Sequence, residues 1–319
     1  MRKTRLYYGW IVVAVAFVTL ALAFVVWNAF SVFLVAICAD FGWSRGEVSL
    51  AFAAFTIVYG LAAPFTGAAV DRFGPRLVMP VGAFLLAGGL LGTSQISELW
   101  QLFLAYGLLT AVGVSSIGTS VNFSVLANWF SRRRGTAVGI ASAGIGVGTA
   151  VLVPASQYII QIAGWRAAYV FLAVLVLVIV PPLTLAFQRH RPEDLGLLPD
   201  GGPGERQNGK ALPQMRIVDK AWASRDWTVR AAVRTGRFWW LFVGLLFGTL
   251  CHQSLMVHQV AFLRDQGFNP MLAASAVGLV GLCGSVGKVG WGWVSDRIGR
   301  EPSYALAWPA SSSPLPRWV

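Results

Sequence analysis

The chain has 319 residues, of which 56% are hydrophobic and 12% charged, and its formal net charge is +12. A soluble domain averages about 25% charged residues, so an ordinary cytosolic enzyme, a disordered protein and a disulfide scaffold are excluded, and a multi-span helical membrane protein remains. In that class the positive balance reads as cationic loops gathered on one side of a bilayer, not as a nucleic-acid surface.

Apolar runs of spanning length, roughly 17–25 residues each, occur at 10–38, 48–70, 77–94, 99–123, 135–161, 165–187, 238–263 and 271–294. Eight transmembrane helices and an all-α integral membrane fold are predicted. The first run follows Arg2, Lys3 and Arg5. It is too long for a signal peptide and lacks a cleavage-like end, so it reads as a retained helix. With the N-terminus inside and the spans alternating, the inside segments hold twenty Lys and Arg residues. The outside loops hold only Arg45, Arg166 and Arg264. This asymmetry predicts a multi-pass protein of the inner (cytoplasmic) membrane with both termini cytoplasmic. Only four of the 25 basic residues are lysine, a bias that fits a GC-rich bacterial genome. The cysteines Cys38, Cys251 and Cys283 lie far apart and show no metal or disulfide spacing.

The predicted organisation is a six-helix unit over 1–187, a cytoplasmic central loop over 188–237, two further helices over 238–300 and a tail over 301–319. The loop is first rich in Pro and Gly, then basic from Arg225 to Arg237, where a short surface helix is expected. The tail carries Pro302, Pro309, Pro314 and Pro316 and cannot form a span.

Local signals come next in chain order. Ser44-Arg45-Gly46-Glu47 is a capping box that opens span two. Pro64, Pro80 and Pro154 lie inside spans, where they kink helices. Span five carries Gly135, Gly139, Gly144, Gly146 and Gly148. No strand precedes them and the full dinucleotide spacing is missing, so close helix packing is expected. Ala274, Gly278, Gly281 and Ser285 in span eight have the same reading. His258 in span seven has three open roles: substrate binding, proton carriage near neutral pH, or a bond to a neighbouring helix. Lys288 is the one mid-span cation. It lies eight residues before Asp296, about 12 Å along a helix. An intramembrane charge is functional by default, and snorkelling to the interface is the plainer alternative.

The most informative feature is a repeat. Gly67-Ala68-Ala69-Val70-Asp71-Arg72-Phe73-Gly74-Pro75-Arg76 follows span two, and Gly292-Trp293-Val294-Ser295-Asp296-Arg297-Ile298-Gly299-Arg300 follows span eight. Both read Gly-x-x-x-Asp-Arg-x-Gly, 225 residues apart. Glycine lets helices approach closely, the acid can sit against a neighbouring helix N-terminus, and the arginines can pair acids on another helix. Gly67, Asp71, Arg72, Gly74, Arg76, Gly292, Asp296, Arg297, Gly299 and Arg300 are therefore expected to form a breakable cytoplasmic latch.

This repeat resembles the cytoplasmic loop signature of the major facilitator superfamily, whose members have twelve spans in two six-helix halves. Tyr8-Gly9-Trp10, Trp129-Phe130-Ser131-Arg132-Arg133-Arg134-Gly135-Thr136-Ala137-Val138-Gly139 and Arg191-Pro192-Glu193-Asp194-Leu195-Gly196-Leu197-Leu198-Pro199-Asp200-Gly201 resemble the monocarboxylate-transporter-like branch, which includes oxalate/formate exchangers. The resemblance implies secondary active transport of small organic anions by alternating access about a midplane site lined by spans one, four, seven and eight. In that branch an arginine that binds substrate carboxylate sits where Lys288 stands; lysine keeps the charge but loses the bidentate fork. A histidine at the place of His258 is typical of bacterial members. Asn28 stands where proton-coupled members have a lysine, and Gly284 where they have an acid. These departures leave anion exchange or uniport open beside a proton mechanism.

The expected partners are a small organic anion, a proton or counter-anion, and the lipid bilayer, with no nucleic acid, no cofactor and a monomeric state. The spans hold no acid pair, metal cluster or activated nucleophile, so the chain is not expected to be an enzyme. The alternative is an inactive truncated fragment or a non-transporting membrane sensor. The second signature ends at Arg300, where the family continues with a ninth span; four more spans need about 80 residues and 19 remain. On this reading the chain is incomplete and does not transport alone.

Overall fold

The computed structural model describes residues 7–201 and 228–298, together with Ser303 and Leu306. The regular elements among them are helices; seven helical stretches are long and apolar enough to cross a membrane, and they carry the eight apolar runs, the fifth and sixth sharing one. Span one is built from Gly9–Asn28 and Phe30–Phe41. The two run on through Ala29, whose N–H still donates to Val25 O at 2.8 Å. Span two, Arg45–Phe73, opens on the expected capping box: the Glu47 N–H donates to Ser44 Oγ at 3.2 Å and the Ser44 N–H to Glu47 Oε2 at 2.8 Å. Gly74, at φ +77°, turns the chain into span three, Pro75–Ser94, with proline at the first helical position.

Span four departs from one smooth helix. After Leu99–Leu102 it is π-helical over Phe103–Thr110, resumes as Ala111–Ile117, breaks at Gly118 and continues as Thr119–Trp129. The fifth and sixth runs join in one helical stretch of 54 residues, Arg134–Phe187. Straight, it would be about 80 Å long, far beyond a bilayer. It instead folds back at Gly164, whose φ of 83° and ψ of 165° are non-helical. Contacts at both ends show the reversal. Tyr8 Oη donates to Phe187 O at 2.8 Å, while Arg166 Nη1 donates to Asp40 Oδ2 at 2.7 Å. The basic stretch contains a short helix, Val229–Val233; its residues before 228 lie outside the described part. Spans seven and eight are Gly236–Asp265 and Pro270–Ile298. Pro64, Pro80 and Pro154 are inside helices as expected, joined by Pro181 and Pro182 in span six.

Spans one to six share a core around Phe30, Phe33, Phe55, Tyr106 and Tyr169, with Phe33 stacked on Tyr169 at 3.9 Å between ring centroids. The glycine stripes do what the sequence predicts. Gly144 faces the backbone of Phe17 and Gly148 that of Ala21, so span five lies flush against span one. Its other side meets span eight: Gly146 abuts the Gly281 carbonyl and Ser285 Oγ, and Gly278 abuts Ala150. Ser285 Oγ donates to Ala143 O at 2.8 Å across this crossing. In an apolar medium such close backbone contact is the main attraction between helices.

Candidate functional site

The bundle has two ends. One, here the basic end, gathers Tyr7, Tyr8, Arg76, Trp129, Arg132 to Arg134, Phe187 and Asp296. The opposite end gathers Asp40, Arg45, Arg166 and Asp265. Spans seven and eight are tied to spans one to six at both.

At the basic end the tie is Asp296. The helix of span five starts at Arg134 without a side-chain cap, so its first N–H groups lack helical partners. Asp296 Oδ1 accepts from the Gly135 N–H at 2.8 Å, and Oδ2 accepts from the Thr136 N–H and Oγ1, both at 2.7 Å. The acid of the second signature therefore sits on a neighbouring helix N-terminus, where its charge meets the positive end of the dipole. Gly292 makes this possible, since its Cα side rests on the Gly135 backbone.

The remaining latch residues correct the sequence reading in part. The signature arginines pair no acid among the described residues. Arg72 lies 5.2 Å above the Phe73 ring, Arg297 lies 3.6 Å above Trp293, and Arg76 Nε donates to Leu185 O at 2.6 Å. Each takes the nearest ring or helix-end carbonyl, which an exposed guanidinium reaches at little cost. Gly67 has open space around its Cβ position, unlike Gly292, because no described helix covers that face of span two. Asp71 has no hydrogen-bond partner among the described residues. Gly74 serves as the turn residue. Gly299 and Arg300 lie outside the described residues.

At the opposite end the tie is an ion pair that sequence reading missed. Arg45 Nη1 and Nη2 donate to Asp265 Oδ2 and Oδ1 at 2.6 and 2.8 Å, joining the start of span two to the end of span seven. Both side chains are about half exposed, so water and salt screen the pair and it is easily broken. Beside it Val257, Val260 and Ala261 of span seven are buried. Asp40 meanwhile accepts from Arg166 and from Trp165 Nε1 at 3.1 Å, within spans one to six. The partners are 220 and 126 residues apart, a separation no sequence pattern spans.

Between the ends lie the predicted substrate residues. Asn28 Nδ2 donates to Thr149 Oγ1 at 2.8 Å, bridging spans one and five. Lys288 is exposed, and its carbonyl abuts Gly139. His258 is exposed on span seven. Among the described residues no hydrogen bond joins any two of the three. A further polar group was not foreseen. Asn122 is fully buried, and its Nδ2 donates to the Ile117 carbonyl freed by the break, at 2.8 Å, and to the Gly118 carbonyl at 3.0 Å, which the Asn122 backbone N–H also reaches at 3.2 Å. Its Oδ1 accepts from Thr19 Oγ1 at 3.3 Å. Tyr59 Oη lies 3.0 Å from Thr119 Oγ1 on the far side of the break. The available signal was an asparagine four residues after a glycine inside an apolar run.

Comparison with known proteins agrees with this architecture. The family model of the Major Facilitator Superfamily matches residues 16–312. Monocarboxylate transporter 13 of Bos taurus is 30% identical over 291 residues, covering 91% of this chain and 62% of that protein. Monocarboxylate transporter 12 of Homo sapiens is 25% identical, covering 91% and 57%. The oxalate:formate antiporter of Oxalobacter formigenes is 24% identical over 274 residues, covering 84% and 58%. The chain thus spans about 60% of the length of these curated relatives. A crystal structure of a bacterial homologue of the human lysosomal transporter Spinster, inward-facing and unoccupied, shares the fold with a TM-score of 0.66 at 18% identity, covering 93% of this chain and 64% of that one. These relatives are transporters, not enzymes.

Proposed function

Since the chain belongs to the major facilitator superfamily and is a multi-pass membrane protein, we propose that it is a secondary transporter of small organic anions, of monocarboxylate or dicarboxylate type, working by alternating access. The observation that carries this reading is the pair of polar ties at opposite ends of the bundle: Asp296 on the start of span five, and Arg45 on Asp265. Both are short and accessible. Breaking one while the other holds would open the interior to one side at a time. Monocarboxylate and oxalate/formate relatives support an anionic cargo. So does Lys288, the one cation in mid-span. Asn28 supplies a neutral donor where a second cation would stand, which favours exchange or uniport over proton coupling.

The test is binding of radiolabelled monocarboxylates and dicarboxylates to the purified chain in nanodiscs. Lys288→Ala should weaken binding at least about tenfold, and Lys288→Arg should retain part of it, because loss of a charge-assisted bond to a carboxylate costs about 1.5–3 kcal/mol. Equal affinity in the alanine variant would reduce Lys288 to a snorkelling residue. A second reading, a bundle that binds an anion without moving it, is favoured by the open face of spans seven and eight, where Trp240, Val286 and Lys288 are exposed. Counterflow in reconstituted vesicles separates the two.

We place the basic end in the cytoplasm, on the twenty-to-three charge asymmetry. A membrane-impermeant thiol reagent applied to intact cells should label Ser97→Cys, at the opposite end, and spare Glu193→Cys. The reverse pattern would invert the orientation.

A further inference from the structure

The three stretches that carry the branch resemblance lie far apart in sequence and meet in one cluster at the basic end. Tyr8 packs on Trp129 and Trp10 on Phe130, with ring centroids 5.6 and 5.1 Å apart. Gly9 fits because a Cβ there would strike the Tyr7 and Phe130 rings. Leu197 of the central loop packs against the same cluster. Tyr7 Oη lies 3.1 Å from both the Trp129 and the Leu198 carbonyls, and Trp129 Nε1 donates to Arg189 O at 3.2 Å. The loop is shaped by Gly196, at φ +65°, with the Leu197 N–H returning to Pro192 O at 3.0 Å. It delivers Asp200, itself at φ 57°, to the turn between spans four and five. There Asp200 Oδ2 accepts from the N–H groups of Ser131 and Arg132 at 3.0 and 2.8 Å, and Oδ1 lies 3.5 Å from the N–H of Arg133.

The next N–H groups along the chain, after that of Arg134, are those of Gly135 and Thr136, which Asp296 holds. One short segment, 131–136, is thus gripped by two carboxylates. One comes from the central loop and one from span eight. Charge-assisted bonds to backbone N–H groups are about twice as strong as neutral ones and strongly directional.

The geometry points to Asp200 as a positioning residue for the Asp296 latch: it fixes the 131–133 turn so that the Gly135 and Thr136 N–H groups face Asp296. The central loop motif then sets how firmly the basic end is held shut, instead of merely connecting spans six and seven. This rests on the reading of Asp296 as a latch. A backbone turn left without Asp200 is free to rotate, and the span-five N-terminus swings with it.

Amide hydrogen exchange on the full chain in nanodiscs tests this, since exchange reports local opening residue by residue. Asp200→Ala should speed exchange at Ser131 to Arg133 and also, by about tenfold, at Gly135 and Thr136, a factor that matches the loss of one such bond. Asp200→Asn, which keeps one acceptor oxygen, should fall between. Asp296→Ala should speed exchange at Gly135 and Thr136 and leave 131–133 protected. Faster exchange confined to 131–133 in Asp200→Ala would overturn the proposal. The buried amides of Leu86 and Leu90 in span three report whether a variant is folded. If the alanine variant loses their protection, the asparagine variant decides by the same readout. The measurement does not depend on flux, so its outcome is separate from that of the transport assay.

Discussion

Gly146→Leu should lower thermal stability in detergent by about 10 °C, corresponding to about 4 kcal/mol at the usual slope for a chain of this size. Any side chain at 146 meets the Gly281 carbonyl and Ser285 Oγ. Neither can yield. The carbonyl is helix backbone, and Ser285 is fixed by its bond to Ala143 O. The crossing is equally tight at Gly139 and Gly292, where the opposing atoms are again backbone. Span eight must therefore move out by the thickness of a side chain along its whole contact. Burial does not compensate, because lipid tails are as apolar as the new leucine. Movement on that scale also withdraws Asp296 from span five. Gly284→Leu is the control. It lies on the same helix with nothing within 4 Å of its Cβ position, so it should change the melting temperature little. Equal melting of the two variants would show that spans five and eight do not cross as closely as described.

Asn122→Leu should cost at least about 1–3 kcal/mol, read by the same melting experiment. Leucine has the same branching but a larger volume, so at this fully buried position overpacking adds to the loss. What is lost is the donor that satisfies the Ile117 carbonyl; the Gly118 carbonyl keeps the Asn122 backbone N–H at 3.2 Å. Inside an apolar bundle an orphaned carbonyl costs about 1–3 kcal/mol. Asn122→Ala, which removes the same donor without adding volume, separates the two effects and should still melt below the unaltered chain. An alanine variant as stable as the unaltered chain would mean that the Ile117 carbonyl at the break finds another partner.

These two sites differ in how far the sequence announces them. The spans themselves are legible because crossing a bilayer demands an apolar run of fixed length, and the capping box at Ser44 and Glu47 is a purely local device. Glycine stripes on spans five and eight are legible as contacts for the same reason: small residues repeating on one face have few other uses in lipid. The break at Gly118 is not legible. Its neighbours Ser115, Ser116, Thr119 and Ser120 are ordinary inside spans, and hydropathy is blind to whether a carbonyl bonds along the helix or to Asn122. Asp296 follows from the physics of helix ends. Which groups the latch arginines choose does not, since an exposed guanidinium takes whatever ring or carbonyl is nearest. Arg45 with Asp265, and Asp200 with the 131–133 turn, join positions fixed only by how the whole bundle assembles.

Gly164 decides whether spans five and six can lie side by side. Spans five and six are joined by this one non-helical residue, without a loop that could cross the bilayer by itself. The pair is a single helical hairpin, and its turn sets Arg166 beside Asp40. The backbone region at φ 83° and ψ 165° is open to glycine and essentially closed to other residues. A side chain at 164 would oppose that turn, and span six would lose its place against span one, where Phe187 meets Tyr8 and Arg166 meets Asp40.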